Sequence, residues 1–181
     1  ENGQIIGDST IKKVIVEDGI TRIGNYAFQA CLELEEAEIA DTVTSIGEAA
    51  LDCCKALKEV VLPDSVTIIG QEAFSESGVE KITLSENLET IGDMAFLLCE
   101  NLKEVTVPKS VTSIGDFAFI LCDKLETLII KNKDCEIGLE ILMTGLVDED
   151  GNIIEDENGN PIPTECPTVL KGHSGSTAEE Y

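Results

Sequence analysis

The chain has 181 residues, 43% of them hydrophobic, enough for one domain or one elongated array with a real core and too apolar for a disordered polymer. Its formal charge of −24, from 36 acids against 12 bases, repels nucleic-acid phosphates and anionic membranes, so no nucleic-acid partner is expected, whereas cations or basic partners are favoured. No run of about 18 apolar residues occurs, so no membrane insertion is expected of this fragment.

The sequence opens at Glu1 without a signal-peptide pattern and reads as a trimmed fragment, so a missing signal says nothing about location. Residues 1–10 are expected to form the N-terminal edge of an array that starts at Ile11. From there an Ile-Gly pair recurs, with glycine at 24, 47, 70, 92, 115 and 138, at intervals of 23, 23, 22, 23 and 23. Aligned on that glycine, six units begin at Ile11, Leu34, Leu57, Val79, Leu102 and Leu125 and end at 138. Their template is L-x-x-V-x-(I/V/L)-P-x-x-V-T-x-I-G-x-x-A-F-x-x-C-x-x. The short interval follows "SESG" (Ser75 to Gly78), where one residue is missing and Gly78 is expected to supply a permissive backbone.

Each unit holds two extended pieces. "LKEVVLP" and "LKEVTVP" place Val60/Leu62 and Val105/Val107 on one side of a strand and charged or Thr residues on the other. Pro63 and Pro108 end that strand, because proline cannot donate to a ladder. Val-Thr-x-Ile follows as a second short strand, the glycine turns the chain, and "AF" with its neighbours fits one tight helical turn. A unit this short cannot bury its own apolar face, but stacked units can. The expected fold is therefore a β-rich solenoid, a right-handed superhelix of parallel strands with short helical turns and one rung per repeat. Ile23, Ile46, Ile69, Ile91 and Ile114 should form one buried column.

Residues 139–181 hold ten acids and one base. "VDEDGNIIEDENGNPIP" (Val147 to Pro163) carries two turn signals around Ile153 and Ile154, which suggests a hairpin or extended loop in an acidic cap. Asp148, Asp150, Asn152 and Asp156 are oxygen ligands at short spacing and make a weak candidate cation loop. Counted from Asp148, the sixth position is Ile153 and not the glycine an EF-hand needs, so no metal site is assigned. Ser176 and Glu179 have capping-box spacing for a short terminal helix.

The template resembles the BspA-like leucine-rich repeats of bacterial surface proteins, over residues 11–138, and "HSGSTAEEY" (His173 to Tyr181) is similar to the closing helix of such arrays. Leu51 stands where the template has Phe, and Ser77 where it has Cys. The resemblance implies a secreted or cell-surface bacterial protein, its signal and anchor outside this fragment. It also implies a non-enzymatic role in binding or adhesion to a host matrix protein or another cell-surface protein. A spacer presenting a neighbouring domain is one alternative. A polysaccharide-recognising accessory module is another, disfavoured by the absence of Trp and scarcity of Tyr.

Catalytic and cofactor chemistry is not indicated, and no cofactor is expected. The single histidine, His173, is grouped with no nucleophile, and the repeat glycines form no phosphate-binding loop. Four of seven cysteines (Cys31, Cys54, Cys99 and Cys122) share one repeat position and read as buried core thiols. Disulfides between rungs are an alternative that a spacing of about 4.8 Å just permits, and zinc lacks any C-x-x-C pair. The second position of each unit alternates in charge (Lys12, Glu35, Lys58, Glu80, Lys103, Glu126), which supports register between rungs. The third and fifth positions should face solvent on the open strand face. From them Lys13, Ile15, Glu36, Glu38, Glu59, Val61, Lys81, Thr83, Glu104, Thr106 and Ile129 are the expected ligand-contacting residues.

Overall fold

A computed structural model describes residues 10–142 and 169–171. Each unit folds as one coil, and the coils stack into a β-solenoid with three sides. The first side is built from the longer strands: β1 (Lys13–Val16), β3 (Glu36–Ile39), β5 (Glu59–Val61), β7 (Lys81–Thr83), β9 (Glu104–Val107) and β11 (Thr127–Ile130). The second holds the two-residue strands that precede each glycine: β2 (Arg22–Ile23), β4 (Ser45–Ile46), β6 (Ile68–Ile69), β8 (Thr90–Ile91), β10 (Ser113–Ile114) and β12 (Glu136–Ile137). A further strand, β13 (Val169–Lys171), pairs parallel to β11 on the first side.

The second side is one unbroken parallel sheet of six strands. Every repeat glycine from Gly47 to Gly138 donates its N–H to the carbonyl of the isoleucine one coil earlier, at 2.8–2.9 Å. Glycine is required here by close approach. A Cβ on Gly115 would lie 2.4 Å from the Asp93 nitrogen and 2.7 Å from the Gly92 carbonyl carbon. Gly78 answers to the same constraint, which corrects the sequence expectation. Its φ is not left-handed; a Cβ there would meet the Lys55 carbonyl oxygen at 2.0 Å. The shortened turn draws the chain hard against the coil below, and Gly78 N–H donates to Cys54 O at 3.0 Å.

The third side differs from the expected helical turn: no helix occurs among the described residues. After each glycine the backbone N–H groups alternate between two kinds of acceptor. Tyr26, Phe28 and Ala30 donate to Glu48, Ala50 and Asp52 of the next coil, at 2.7–2.9 Å. Ala27, Gln29 and Cys31 donate three residues back within their own coil, at 3.3–3.4 Å. This alternation satisfies neighbouring coils and local turns together. It requires left-handed backbone at the second and sixth residues after the glycine. Eleven non-glycine residues accordingly have φ between 46° and 59°, among them Glu72, Glu76, Met94, Leu98, Phe117 and Leu121. Such residues cost of order 1–3 kcal/mol each and persist because the ladder over-determines them.

The core lies inside the three sides. Ile23, Ile46, Ile69, Ile91 and Ile114 form the expected buried column. Phe74, Phe96 and Phe119 stack with centroids 5.4 and 5.1 Å apart and nearly parallel rings. Beside them the cysteines have a hydrogen-bonding task. The thiols of Cys54, Cys99 and Cys122 donate to the carbonyls of Phe28, Phe74 and Phe96 one coil earlier, at 3.3, 3.0 and 3.1 Å. Ser77 takes the cysteine position in the third coil and lies 3.4 Å from Cys99 Sγ. Burial is the main reason that Cys54 and Cys99 are pushed up to about 12 and Cys53 to about 11.

Candidate binding face

The first side carries the residues that sequence reasoning selected. Pairing sets them in two columns: Lys13 opposite Glu36, Glu59 opposite Lys81 and Glu104 opposite Thr127 in one, and Ile15 opposite Glu38, Val61 opposite Thr83 and Thr106 opposite Ile129 in the other. Lys13, Glu36, Glu38, Glu59, Lys81, Thr83 and Glu104 are exposed, as are Ile15 and Val61 at 59% and 57%. Thr106 and Ile129 are half-buried, so the face is less open toward its C-terminal end. The inward residues between them, such as Val60, Ile82, Val105 and Leu128, are buried. Strand alternation therefore separates core from surface at every rung.

Opposite charges meet along these columns. Lys13 Nζ lies 2.9 Å from Glu36 and 2.5 Å from Glu38, and the Glu38 and Glu36 carboxylates hold its ammonium pKa well above the usual lysine range. Lys81 lies 2.7 Å from Glu59. In the alternating second column, Lys12 meets Glu35 at 3.2 Å, while Glu80 lies 3.8 Å from Lys58 and 3.5 Å from Lys103.

This side, unlike the second, is not one sheet. Its strands pair as β1–β3, β5–β7 and β9–β11–β13, with no ladder between β3 and β5 or between β7 and β9. Pro63 and Pro108 stand at those two junctions. Ala40 N–H donates back to Val16 O, and Lys131 N–H donates back to Val107 O, both at 3.1 Å. The prolines occupy the same repeat position and have no N–H to give. A depression opens at each junction. One, of about 560 Å³, lies between β3 and β5 and is lined by Glu36, Glu38, Ile39, Val61 and Pro63. The other, of about 580 Å³, lies between β7 and β9 and is lined by the buried Ile82 and Leu84 together with Thr83, Thr106, Lys103 and Glu104. Sequence reasoning placed the rim residues on this face but missed Ile82, Leu84 and Lys103 as part of the hollow. The available signal was the proline at every break.

Cys53, Cys54, Cys99 and Cys122 form no disulfide. Among the described residues no group of His, Cys, Asp or Glu could hold a metal ion, and no helix is long and apolar enough to cross a membrane. The candidate cation loop at Asp148, Asp150, Asn152 and Asp156, the hairpin at 147–163, His173 and the terminal helix lie outside the described residues.

Comparison with known proteins bears on the fold. A search of curated proteins found no match. Among solved structures, the chain is similar to a leucine-rich repeat protein from Bacteroides ovatus, with 23% identity and a TM-score of 0.67 over 93% of this chain and 53% of that one. It thus spans about half the length of that protein. It is also similar to a leucine-rich repeat protein of T. pallidum, with 24% identity and a TM-score of 0.59 over 72% of this chain and 75% of the other. The BspA type leucine rich repeat region matches residues 7–143 in 6 copies, in line with the units counted from the glycines. Six stacked coils, each closed by an Ile-Gly rung and four of them filled by an Ala-Phe turn, place this chain in the family of BspA-type leucine-rich repeat proteins.

Proposed function

We propose that this chain is a non-enzymatic binding module of a bacterial secreted or cell-surface protein, and that its strand face contacts a protein partner. The observation that carries this reading is the hollow between β7 and β9. Like the hollow between β3 and β5, where Ala37 and Ile39 are half-buried, it sets apolar residues, here the buried Ile82 and Leu84, beneath charged and hydroxyl-bearing neighbours. An apolar anchor surrounded by polar groups is the usual make-up of a protein-binding patch. The inward residues are tied to the core and cannot vary with a partner, whereas the third and fifth positions vary from rung to rung. A polysaccharide is a poorer fit, because the two outward columns contain no aromatic ring.

The test is binding of the purified chain to a panel of immobilised extracellular-matrix proteins by surface plasmon resonance. The triple variant Glu36→Lys, Glu59→Lys and Glu104→Lys should fold as the parent does, because exposed charges contribute little to stability. Its affinity for a basic partner should fall about tenfold or more at low salt and less at high salt. Equal affinity of parent and variant, with binding lost instead on changes within 147–163, would move the site off this face.

A further inference from the structure

The third side changes character along the solenoid. The difference lies at the second, fifth and sixth residues after each glycine, where from the second to the fifth coil Ala49, Ser75 and Leu121 are buried and the rest half-buried. In the second and third coils these three positions are Ala49, Asp52 and Cys53, then Glu72, Ser75 and Glu76. In the fourth and fifth they are Met94, Leu97 and Leu98, then Phe117, Ile120 and Leu121. The same backbone thus presents an acidic surface in its middle and an apolar one farther on. The two apolar coils are joined directly, since Met94 N–H donates to Asp116 O at 2.8 Å and Leu98 N–H to Ile120 O at 3.1 Å. Phe117 N–H in turn donates to the carbonyl of Leu139 in the next coil at 2.9 Å. Met94, Leu97, Leu98, Phe117 and Ile120 are each half-buried.

Two features argue against indifferent surface. Met94, Leu98 and Phe117 have φ of 53°, 55° and 58°, a conformation in which a bulky side chain is an outlier. The equivalent positions of the other coils carry Tyr26, Ala49 and Glu72 with the same φ, so the backbone does not select large apolar groups there. The patch also has an acidic border on each flank. The residues beginning the turn, Asp93 and Asp116, run along one side, and Glu100 and Asp123 stand beyond the cysteines on the other; in the sixth coil Leu139 takes the place of those aspartates and Glu140 that of Met94 and Phe117. Lys124 stands on that flank too and donates to Asn101 at 2.7 Å.

We infer that the turn side of the fourth and fifth coils is a second docking surface, separate from the strand face, and that it takes a basic amphipathic helix of a partner protein. Acids on both sides of an apolar strip select a ligand with lysine or arginine on both sides of an apolar stripe, which is the pattern of such a helix. A second copy of this chain is disfavoured by its own charge of −24.

The probe is a synthetic amphipathic helix of about 18 residues, with leucine on one face and lysine along both borders, titrated calorimetrically into the full chain at roughly 150 mM salt. Leu97→Gln with Ile120→Gln is the informative variant. It keeps the charge, avoids the left-handed positions and copies Gln29, the residue the first coil carries at the same place. It should melt like the parent and bind the peptide about tenfold more weakly. Leu32→Gln, at an exposed leucine elsewhere, should bind unchanged. Hydroxyl-radical labelling of Met94 and Phe117 should proceed in the isolated chain and fall when peptide is added. Equal binding by the double variant would reduce the attraction to charge alone and overturn the proposal. Protection of Met94 and Phe117 before peptide is added would show the patch filled from within the molecule. Binding to uncharged phosphatidylcholine vesicles but not to the peptide would make it a lipid-facing surface. Either result would also overturn the proposal.

Discussion

Two sides of this solenoid are made from the same coils at the same spacing, yet one is continuous and the other is cut twice. The second side runs as a six-stranded sheet through every coil, with a glycine N–H closing each step. The strand side is three small sheets, parted where Pro63 and Pro108 stand. The difference teaches that a coil has two separable duties. The Ile-Gly rung and the Phe-Cys turn hold neighbouring coils together. The longer strand can then lose its ladder locally and open a hollow without the stack coming apart.

The sharpest way to break that comparison is to strike the continuous side. Ile91 is fully buried in the middle of its column, and Ile91→Ala should cost about 2–5 kcal/mol in urea unfolding, the range for a large core deletion. Thr83→Ala, on the strand face, should change stability by less than about 0.5 kcal/mol. Comparable losses at the two positions would mean that the strand side bears as much of the stack as the Ile-Gly side.

Next in size is the response to alkali, which reads the cysteine column of the continuous part. Burial holds Cys54 and Cys99 near 12, with Cys53 and Cys135 near 11, and lifts Cys122 well above the ordinary value. An unfolded thiol ionises near about 8.5. Above that pH the unfolded chain sheds protons that the folded chain retains, so stability must fall as pH rises. The urea midpoint should be insensitive to these thiols from pH 6 to 8 and decline from about pH 9 toward 12. Ellman's reagent at pH 8 should leave Cys99 and Cys122 unmodified until urea is added. Their rapid modification in the native state would show that the column is not sealed.

The smallest effect isolates the cause of the breaks. Pro63→Ala restores an N–H opposite Ile39 at the loss of proline's restraint on the unfolded chain, terms of about 0.5–1.5 and 0.4–1 kcal/mol that largely cancel. The informative measurement is hydrogen exchange of the new amide. Protection like that of Ala40, which donates to Val16, would show that proline alone interrupts the ladder. Free exchange would place the cause in the strand packing.

Much of this architecture is written plainly in the sequence, because a solenoid repeats its instructions. The glycine interval gives the coil, and the alternation in "LKEVVLP" gives the inward and outward columns. The prolines mark where a strand stops. What they do to the sheet depends on the coil below, a non-local fact that periodicity within one unit does not carry. The turn was misread for a related reason. "AF" with its neighbours has the local spacing of a helical turn, but ladder bonds to the next coil force every second N–H outward and impose left-handed backbone on residues such as Glu72 and Leu98. Gly78 was recognised as special, but for conformational freedom; the structure shows that it yields room to the Lys55 carbonyl. The strand-face columns were legible, and the hollows within them were not, since whether one strand pairs with the next depends on the neighbouring coil and is not written in the alternation of a single unit.

The interrupted ladder has a mechanical consequence. Tension applied along the stacking axis loads the bonds between coils in series, and a series yields at its weakest link. Between the second and third coils, and again between the fourth and fifth, two sides resist separation where three do so between the third and fourth. A chain pulled from its ends would therefore part first at Pro63 or Pro108. Each released coil of 23 residues would add about 75 Å of slack, a short tether paid out while the remaining blocks stay folded.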